Sequence, residues 1–260
     1  MLIISKSNGE VIKANPEIIL FDKDGTLIDI HHYWSSMLKL RAALIIDKWF
    51  KNHINKKNIE RDLIDSMGVD LLSGKIKLKG PVGIKSRNYI VGIASNIVRS
   101  NGIDIENQEI EDIFLEIDLV TAKNMMPLLR PLPGVLSLLK NLKNMGTLMA
   151  VVSNDITSRT YLALKSLGIN DCFSEIIGGD EVQNNKPSAD LALLVSHKTG
   201  IKVDKMMVIG DNPVDIKMGL SAKINSNVAV LTGLSEKQSF EGFDCIVINN
   251  LESIEVVNVK

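Results

Sequence analysis

Two carboxylates two residues apart, Asp22 and Asp24, directly follow the apolar run Ile18-Ile19-Leu20-Phe21 and lead into Gly25-Thr26. An unbroken apolar run ahead of a glycine predicts a strand buried on both faces, as in a parallel sheet covered by helices. Side chains alternate along an extended segment, so both acids are expected on one side at the strand's carboxyl end, where open α/β sheets bind ligands. Two acids so placed can divide labour, one ionised as nucleophile or metal ligand and the other protonated as general acid. Gly25 permits a tight turn that presents its N–H to an anion, and Thr26 suits a hydrogen bond that holds a carboxylate rotamer. Phosphoryl transfer is the chemistry this pattern suits, against the alternative of a polar turn that only closes a strand.

Three further strand ends carry polar residues. Val151-Val152 runs into Ser153-Asn154-Asp155, a hydroxyl and backbone N–H groups at a helix start, which is an anion site in waiting. Asn185-Lys186-Pro187-Ser188 places a cation just before another helix, and Val208-Ile209-Gly210 ends in Asp211 and Asp215. Singly, Ser153 and Ser188 suit helix caps, Lys186 a solvated surface, and Asp211 and Asp215 the positive end of the next helix. Taken in order on successive strands of one sheet, they converge.

The elements that must position them follow from periodicity. From Pro131 onward strands and helices alternate: helix Val135 to Met145, strand Thr147 to Val152, helix Ile156 to Leu167, strand Ser174 to Ile177, helix Ser188 to Thr199, strand Lys205 to Ile209, helix Val214 to Ala222, strand Asn227 to Leu231 and a final strand near Cys245 to Ile248. Such alternation predicts a doubly wound α/β parallel sheet as the core, residues 1–29 and 127–260. Residues 2–14 hold two β-rich runs flanking Asn8-Gly9, which predicts an N-terminal β-hairpin with an ordinary solvent-facing edge. Residues 30–126 read instead as an all-helical insert, with apolar residues at helical spacing in Trp34 to Phe50, Ile59 to Leu72, Tyr89 to Val98 and Ile110 to Met126. Within it Ser73 to Gly83 is a basic, Gly-bounded connection, either a solvated loop or a lid loop that meets an anionic substrate.

Composition narrows the partners. With 30 basic and 31 acidic residues the net charge is −1, so nucleic-acid binding is not expected and any anion site must be local. No apolar segment approaches the roughly 20 residues of a membrane span, and the first residues lack a signal peptide's apolar core, so a cytoplasmic location without membrane attachment is expected. Cys172 and Cys245 lie far apart without metal-ligand spacing and are expected to be reduced fillers. His31 and His32 are adjacent, so on a helix they point about 100° apart and make a poor metal pair. With Tyr33 and Trp34 they are candidates for a pocket mouth.

Asp22-x-Asp24-Gly25-Thr26, Ser153, Lys186 and Gly210-Asp211-x-x-x-Asp215 resemble, in order, the four motifs of the haloacid dehalogenase superfamily. The helical insert after the first motif, and Pro131-Leu132-Pro133-Gly134-Val135 behind it, are similar to the cap and the return to the core in the phosphoglycolate-phosphatase-like branch. The resemblance implies a Rossmann-like core and a Mg²⁺-dependent hydrolase of a small phosphorylated metabolite. It makes Asp22 the nucleophile that forms an aspartyl-phosphate, and Asp24 the acid that protonates the leaving alcohol and later deprotonates water. Mg²⁺ is then held by Asp22, the Asp24 carbonyl and Asp211, with Asp215 supporting the metal or orienting Lys186. The phosphate would meet Ser153, Lys186 and the N–H groups of Gly25 and Asn154.

Asp24 argues against dehalogenation, because a halide leaves without protonation. A phosphonate hydrolase using a cap lysine, a sugar-phosphate mutase resembling β-phosphoglucomutase, and a non-catalytic binding protein on the same fold are the alternatives. His31, His32, Trp34, Lys75, Lys77, Lys79 and Arg87 are the candidates in the cap for meeting the leaving group. Either a monomer or a homodimer is compatible with the chain.

Overall fold

In the computed structural model, residues 1–82 and 85–257 are described. The chain forms two compact units, Met1–Asp29 with Leu129–Lys260, and Ile30–Leu128.

The first unit is built on strand β3 (Ile18–Phe21), whose four residues are all buried. Hydrophobic residues on both faces require helices on both sides, and a parallel sheet supplies them through its crossovers. After β1 (Leu2–Ser5), β2 (Val11–Ala14) and β3 come α5 (Val135–Met145), β4 (Leu148–Val152), α6 (Thr157–Ser166), β5 (Glu175–Ile177) and α7 (Asp190–Thr199). Then follow β6 (Met206–Gly210), α8 (Pro213–Ser221), β7 (Ser226–Val230), β8 (Ile246–Ile248) and β9 (Ile254–Val256). Six strands make one parallel sheet in the order β5-β4-β3-β6-β7-β8. The chain leaves β3 toward β4 on one side and returns to β6 on the other, so β3 stands at the point where the winding reverses, the usual ligand crevice of such sheets. Phe21 is in register with Val151 and Ile209, which brings Asp22, Ser153 and Asp211 to one edge of the sheet. On one face Ile18, Leu20, Ala150, Val152 and Val208 pack against Leu191 and Val195 of α7 and Met218 of α8.

The N-terminal hairpin forms, with Leu2 opposite Ala14 and Ser5 opposite Val11. It is not a free edge on its inner side, because β9 pairs with β1 and completes a three-stranded antiparallel sheet, order β2-β1-β9. Leu2 and Ile4 are consequently buried. Periodicity missed β9 because three residues are too few to display an alternation; the strand near Cys245 is therefore not the last.

Among its described residues the second unit has four α-helices: α1 (Ile30–Trp49), α2 (Lys56–Ser66), α3 (Arg87–Ser100) and α4 (Asn107–Lys123). Helix α1 packs on α2 and α4, and α3 packs on the same two. Each turns a helical-period stripe inward, as α4 does with Ile110, Ile113, Phe114, Ile117 and Thr121. Helix α2 stops six residues before the expected Leu72. Gly68 takes a φ of +118°, and Val69 bridges Ile76 instead of continuing the helix. The basic connection is thus partly clamped, with Ile76 buried; Gly83 of that connection lies outside the described residues.

Gly134 ties the return of the chain to this architecture. Its φ is +84°, and a Cβ there would stand 2.5 Å from the Glu252 amide nitrogen and 2.7 Å from the Leu251 carbonyl carbon, in the segment that leads to β9. Gly134→Ala should therefore cost about 2–4 kcal/mol through backbone strain and a contact with main chain that cannot yield. Thermal unfolding is expected to shift down by about 5–15 °C; an unchanged midpoint would refute that packing account.

Candidate active site

Lys186 is the hub of the sheet edge. Its Nζ lies 2.6 Å from Asp22 Oδ1 and 2.7 Å from Asp215 Oδ1, and both Lys186 and Asp215 are buried. Asp22 follows β3 directly and is fixed by its N–H, which donates to the Ile209 carbonyl at 2.9 Å. The lysine backbone is held by Asn154, whose Oδ1 accepts from Lys186 N–H at 2.9 Å and whose Nδ2 donates to the Lys186 carbonyl at 3.4 Å. The residue beside Ser153 therefore anchors the cation. Asp215 serves two expectations at once: its Oδ2 accepts from Asn212 N–H at 3.0 Å, closing a capping box at the start of α8, while Oδ1 takes the lysine.

Carboxylates outnumber cations in this cluster. Asp22, Asp211 and Asp215 offer oxygens that all lie within 4.8 Å of one another, against the single ammonium of Lys186. Burial pushes the Asp22 carboxyl up to about 6, with Lys186 opposing and Asp215 reinforcing the rise. Burial, then Asp22 and Asp215, push Asp211 well above the usual carboxylate range. Burial alone would depress the Lys186 ammonium, but the charges of Asp215 and Asp22 outweigh it and hold it above its ordinary value.

Asp211 is the under-satisfied member. It is buried, and its hydrogen bonds are both long, 3.5 Å from the Thr26 hydroxyl and 3.4 Å from Leu234 N–H. The backbone closes around its carboxylate at Gly25 and Gly233. Gly25, at φ +89°, would place a Cβ 2.5 Å from Asp211 Oδ2, and a Cβ on Gly233 would collide with the same carboxylate. Thr232 completes the clamp by donating its hydroxyl to the Gly25 carbonyl at 2.6 Å. Thr232 and Gly233 escaped the sequence reading, although their place just beyond the buried strand β7 matches that of the other motifs. A buried, weakly bonded carboxylate facing two others is a donor set that suits a divalent cation with a preference for oxygen. Asp22 and Asp211 have oxygens to offer, whereas each oxygen of Asp215 already accepts a hydrogen bond.

The strand ends at Phe21, and the Asp24 carboxylate is held by Lys23. Lys23 Nζ lies 3.0 Å from Asp24 Oδ2 and 2.9 Å from Asp155 Oδ2. Burial raises the Asp24 pKa, Lys23 lowers it and Asp22 raises it again. The Gly25 N–H, expected to face an anion, donates instead to the Ile28 carbonyl at 2.8 Å. What Gly25 gives the site is the absence of a side chain. Ser153 is buried, and its Oγ accepts from Asp155 N–H at 3.1 Å, which leaves its own O–H as a donor.

The candidates in the helical unit do not gather into one cluster. His31, His32 and Trp34 stand in the first turns of α1, where His32 Nε2 lies 3.2 Å from the Pro127 carbonyl and Trp34 packs edge-on against Tyr33. Lys75 and Lys79 are exposed, whereas Lys77 is paired with Asp65 at 2.8 Å. Arg87 binds Glu111 at 2.7 Å and Asp118 at 2.5 Å, so it joins α3 to α4. Among the described residues no helix is long and apolar enough to cross a membrane.

Comparison with known proteins agrees with this arrangement. The chain is 28% identical over 218 residues to the phosphoglycolate phosphatase of Nitrosococcus oceani, covering 80% of each. A 38% identical match to the phosphoglycolate phosphatase of Escherichia coli K12 runs over 90 residues, 35% of this chain and 36% of that enzyme, so it spans about a third of the relative. In fold the chain resembles a predicted phosphoglycolate phosphatase from Haemophilus somnus 129pt, with a TM-score of 0.65, 19% identity and coverage of 92% and 96%. The model of the haloacid dehalogenase-like hydrolases matches residues 16–223, from just before β3 to just past α8, and the chain belongs to that family.

Proposed function

We propose that this hydrolase is a Mg²⁺-dependent phosphatase of a small phosphomonoester, working through an aspartyl-phosphate on Asp22. The observation that carries the reading is the placement of Lys186 between Asp22 and Asp215, one fixed cation beside a carboxylate that must approach an anionic phosphoryl group. An Asp22 oxygen attacks phosphorus; the bond from phosphorus to the leaving oxygen breaks, and Asp24 gives that oxygen its proton. Water then loses a proton to Asp24, attacks the same phosphorus, and releases inorganic phosphate with Asp22 restored. Lys186, the Ser153 hydroxyl and the Asn154 N–H bind the non-bridging oxygens, where charge must be accommodated in the transition state. Asp22, Asp211 and the Asp24 carbonyl would hold Mg²⁺, which when bound supplies further charge neutralisation and orientation of the phosphoryl group. The Thr232–Leu234 clamp keeps Asp211 aimed for that task.

The phosphoglycolate phosphatases among the relatives favour a small phosphorylated acid as substrate. We assign selection of the leaving group to the helical unit as a cap, with the head of α1, His31 to Trp34, as its first candidate surface.

The purified protein with Mg²⁺ should hydrolyse 4-nitrophenyl phosphate and release one inorganic phosphate per turnover. Asp22→Asn should lower kcat by at least about 10³-fold, and EDTA should abolish activity until Mg²⁺ is restored. Turnover of a sugar phosphate without phosphate release would replace the phosphatase with a mutase. Asp24→Asn should bind metal normally yet lose about 10²–10⁴-fold in kcat, more for ethyl phosphate than for 4-nitrophenyl phosphate, because its task is protonating a poor leaving group; equal losses would refute that role. Lys186→Met leaves two buried carboxylates uncompensated and should destabilise the fold by about 3–5 kcal/mol, read as a fall in unfolding midpoint by calorimetry.

A further inference from the structure

Lys23 sits between the two acids of the first motif, where a solvated lysine would be expected, yet it is only 3% exposed. A buried ammonium is costly unless paired, and the two partners here are Asp24 Oδ2 at 3.0 Å and Asp155 Oδ2 at 2.9 Å. Asp155 is itself immobilised. Its Oδ1 accepts from Ile156 N–H at 2.9 Å and pairs with Arg159 at 3.2 Å, its N–H donates to Ser153 Oγ at 3.1 Å, and its carbonyl accepts from Gly179 N–H at 2.9 Å. The Lys23 carbonyl meanwhile accepts from both Leu27 N–H and Ile28 N–H, at 2.9 and 3.0 Å, closing the turn that carries Asp24. A single side chain thus links the turn after β3 to the loop after β4.

We propose that Lys23 is a positioning residue that sets the Asp24 carboxylate and the Ser153–Asn154 loop as one rigid pair, coupling proton delivery to phosphate binding. The assignment rests on the phosphatase reading above. Asp24 must stand within hydrogen-bond reach of a leaving oxygen whose place is decided by the groups that hold the phosphate. An acid on a turn and a hydroxyl on a separate loop keep that spacing only if something ties them. Asp155, 132 residues later in the chain, is the far anchor of the tie.

Steady-state kinetics on 4-nitrophenyl phosphate and ethyl phosphate test the assignment. Lys23→Met should lower kcat for ethyl phosphate by about 10²-fold, and for the aryl ester by less than about tenfold, with KM changed little, because a displaced acid harms only the ester that needs it. Lys23→Arg, which reaches both carboxylates, should recover most of the loss. Asp155→Asn keeps the shape of the anchor, removes its charge, and should move the ratio of the two rates in the same direction by a smaller factor; it carries the test if Lys23→Met does not fold. A wild type active on both esters, with variants that leave the ratio unchanged, overturns the role of Lys23 and leaves the phosphatase standing. A wild type inert toward both esters overturns the phosphatase reading and this role with it.

Discussion

The site depends on one buried ammonium held by two carboxylates. Desolvating Lys186, Asp22 and Asp215 separately would cost several kcal/mol per ion, and only their mutual approach to 2.6–2.7 Å offsets it. Their positions are consequently interdependent. Asp22 comes from the end of β3, Asp215 from the first turn of α8, and Lys186 from the connection before α7, so the triad also joins three segments whose ends would otherwise be independent. Asn154 extends the dependence to the loop after β4 by gripping the lysine's backbone from both its N–H and its carbonyl. Such a group of charges is poor material for raw stability. Its value lies in fixing where the Asp22 carboxylate stands relative to a cation.

The second constraint is room. Asp211 is packed against main chain on two sides, at Gly25 and at Gly233, and a methyl group at either position would meet its carboxylate. That closeness explains why its hydrogen bonds are long: the backbone surrounds the carboxylate but turns few donors toward it. Burial raises its pKa, and the charges of Asp22 and Asp215 add to the rise. Asp22 and Asp215 are thus neutralised through Lys186, whereas Asp211 keeps a carboxylate oxygen within 4.8 Å of theirs that could hold a cation.

Much of this was legible in the residues. The buried strands announced themselves by continuous apolar runs, and the polar residues at their ends were visible because each run stops abruptly. Where reading failed, the cause was a contact distant in sequence or an element too short to show a period. β9 has three residues. Helix α2 looked longer because Ile64, Met67 and Leu71 keep a helical spacing, but Gly68 breaks the backbone and Val69 pairs with Ile76 instead. Lys23 drew no attention in the sequence because nothing near it reveals that Asp155 will arrive from the loop after β4. The Gly25 N–H was expected to serve an anion, and only the observed turn shows that Ile28 accepts it.

The basic residues of the helical unit illustrate why charge alone does not identify a recognition surface. Arg41 is buried against the Phe114 ring, 4.2 Å from its centroid, and shares Asp118 with Arg87, which also holds Glu111. Two guanidinium groups facing two carboxylates are neutral as a set, and they join α1, α3 and α4 across the aromatic ring between them. An anion that recruited Arg87 would have to displace a carboxylate already at hydrogen-bond distance, so the arginine's first task is architectural. Lys77 is engaged with Asp65 in the same way. The head of α1 is joined to the first motif by chain continuity, with His31 only seven residues after Asp24.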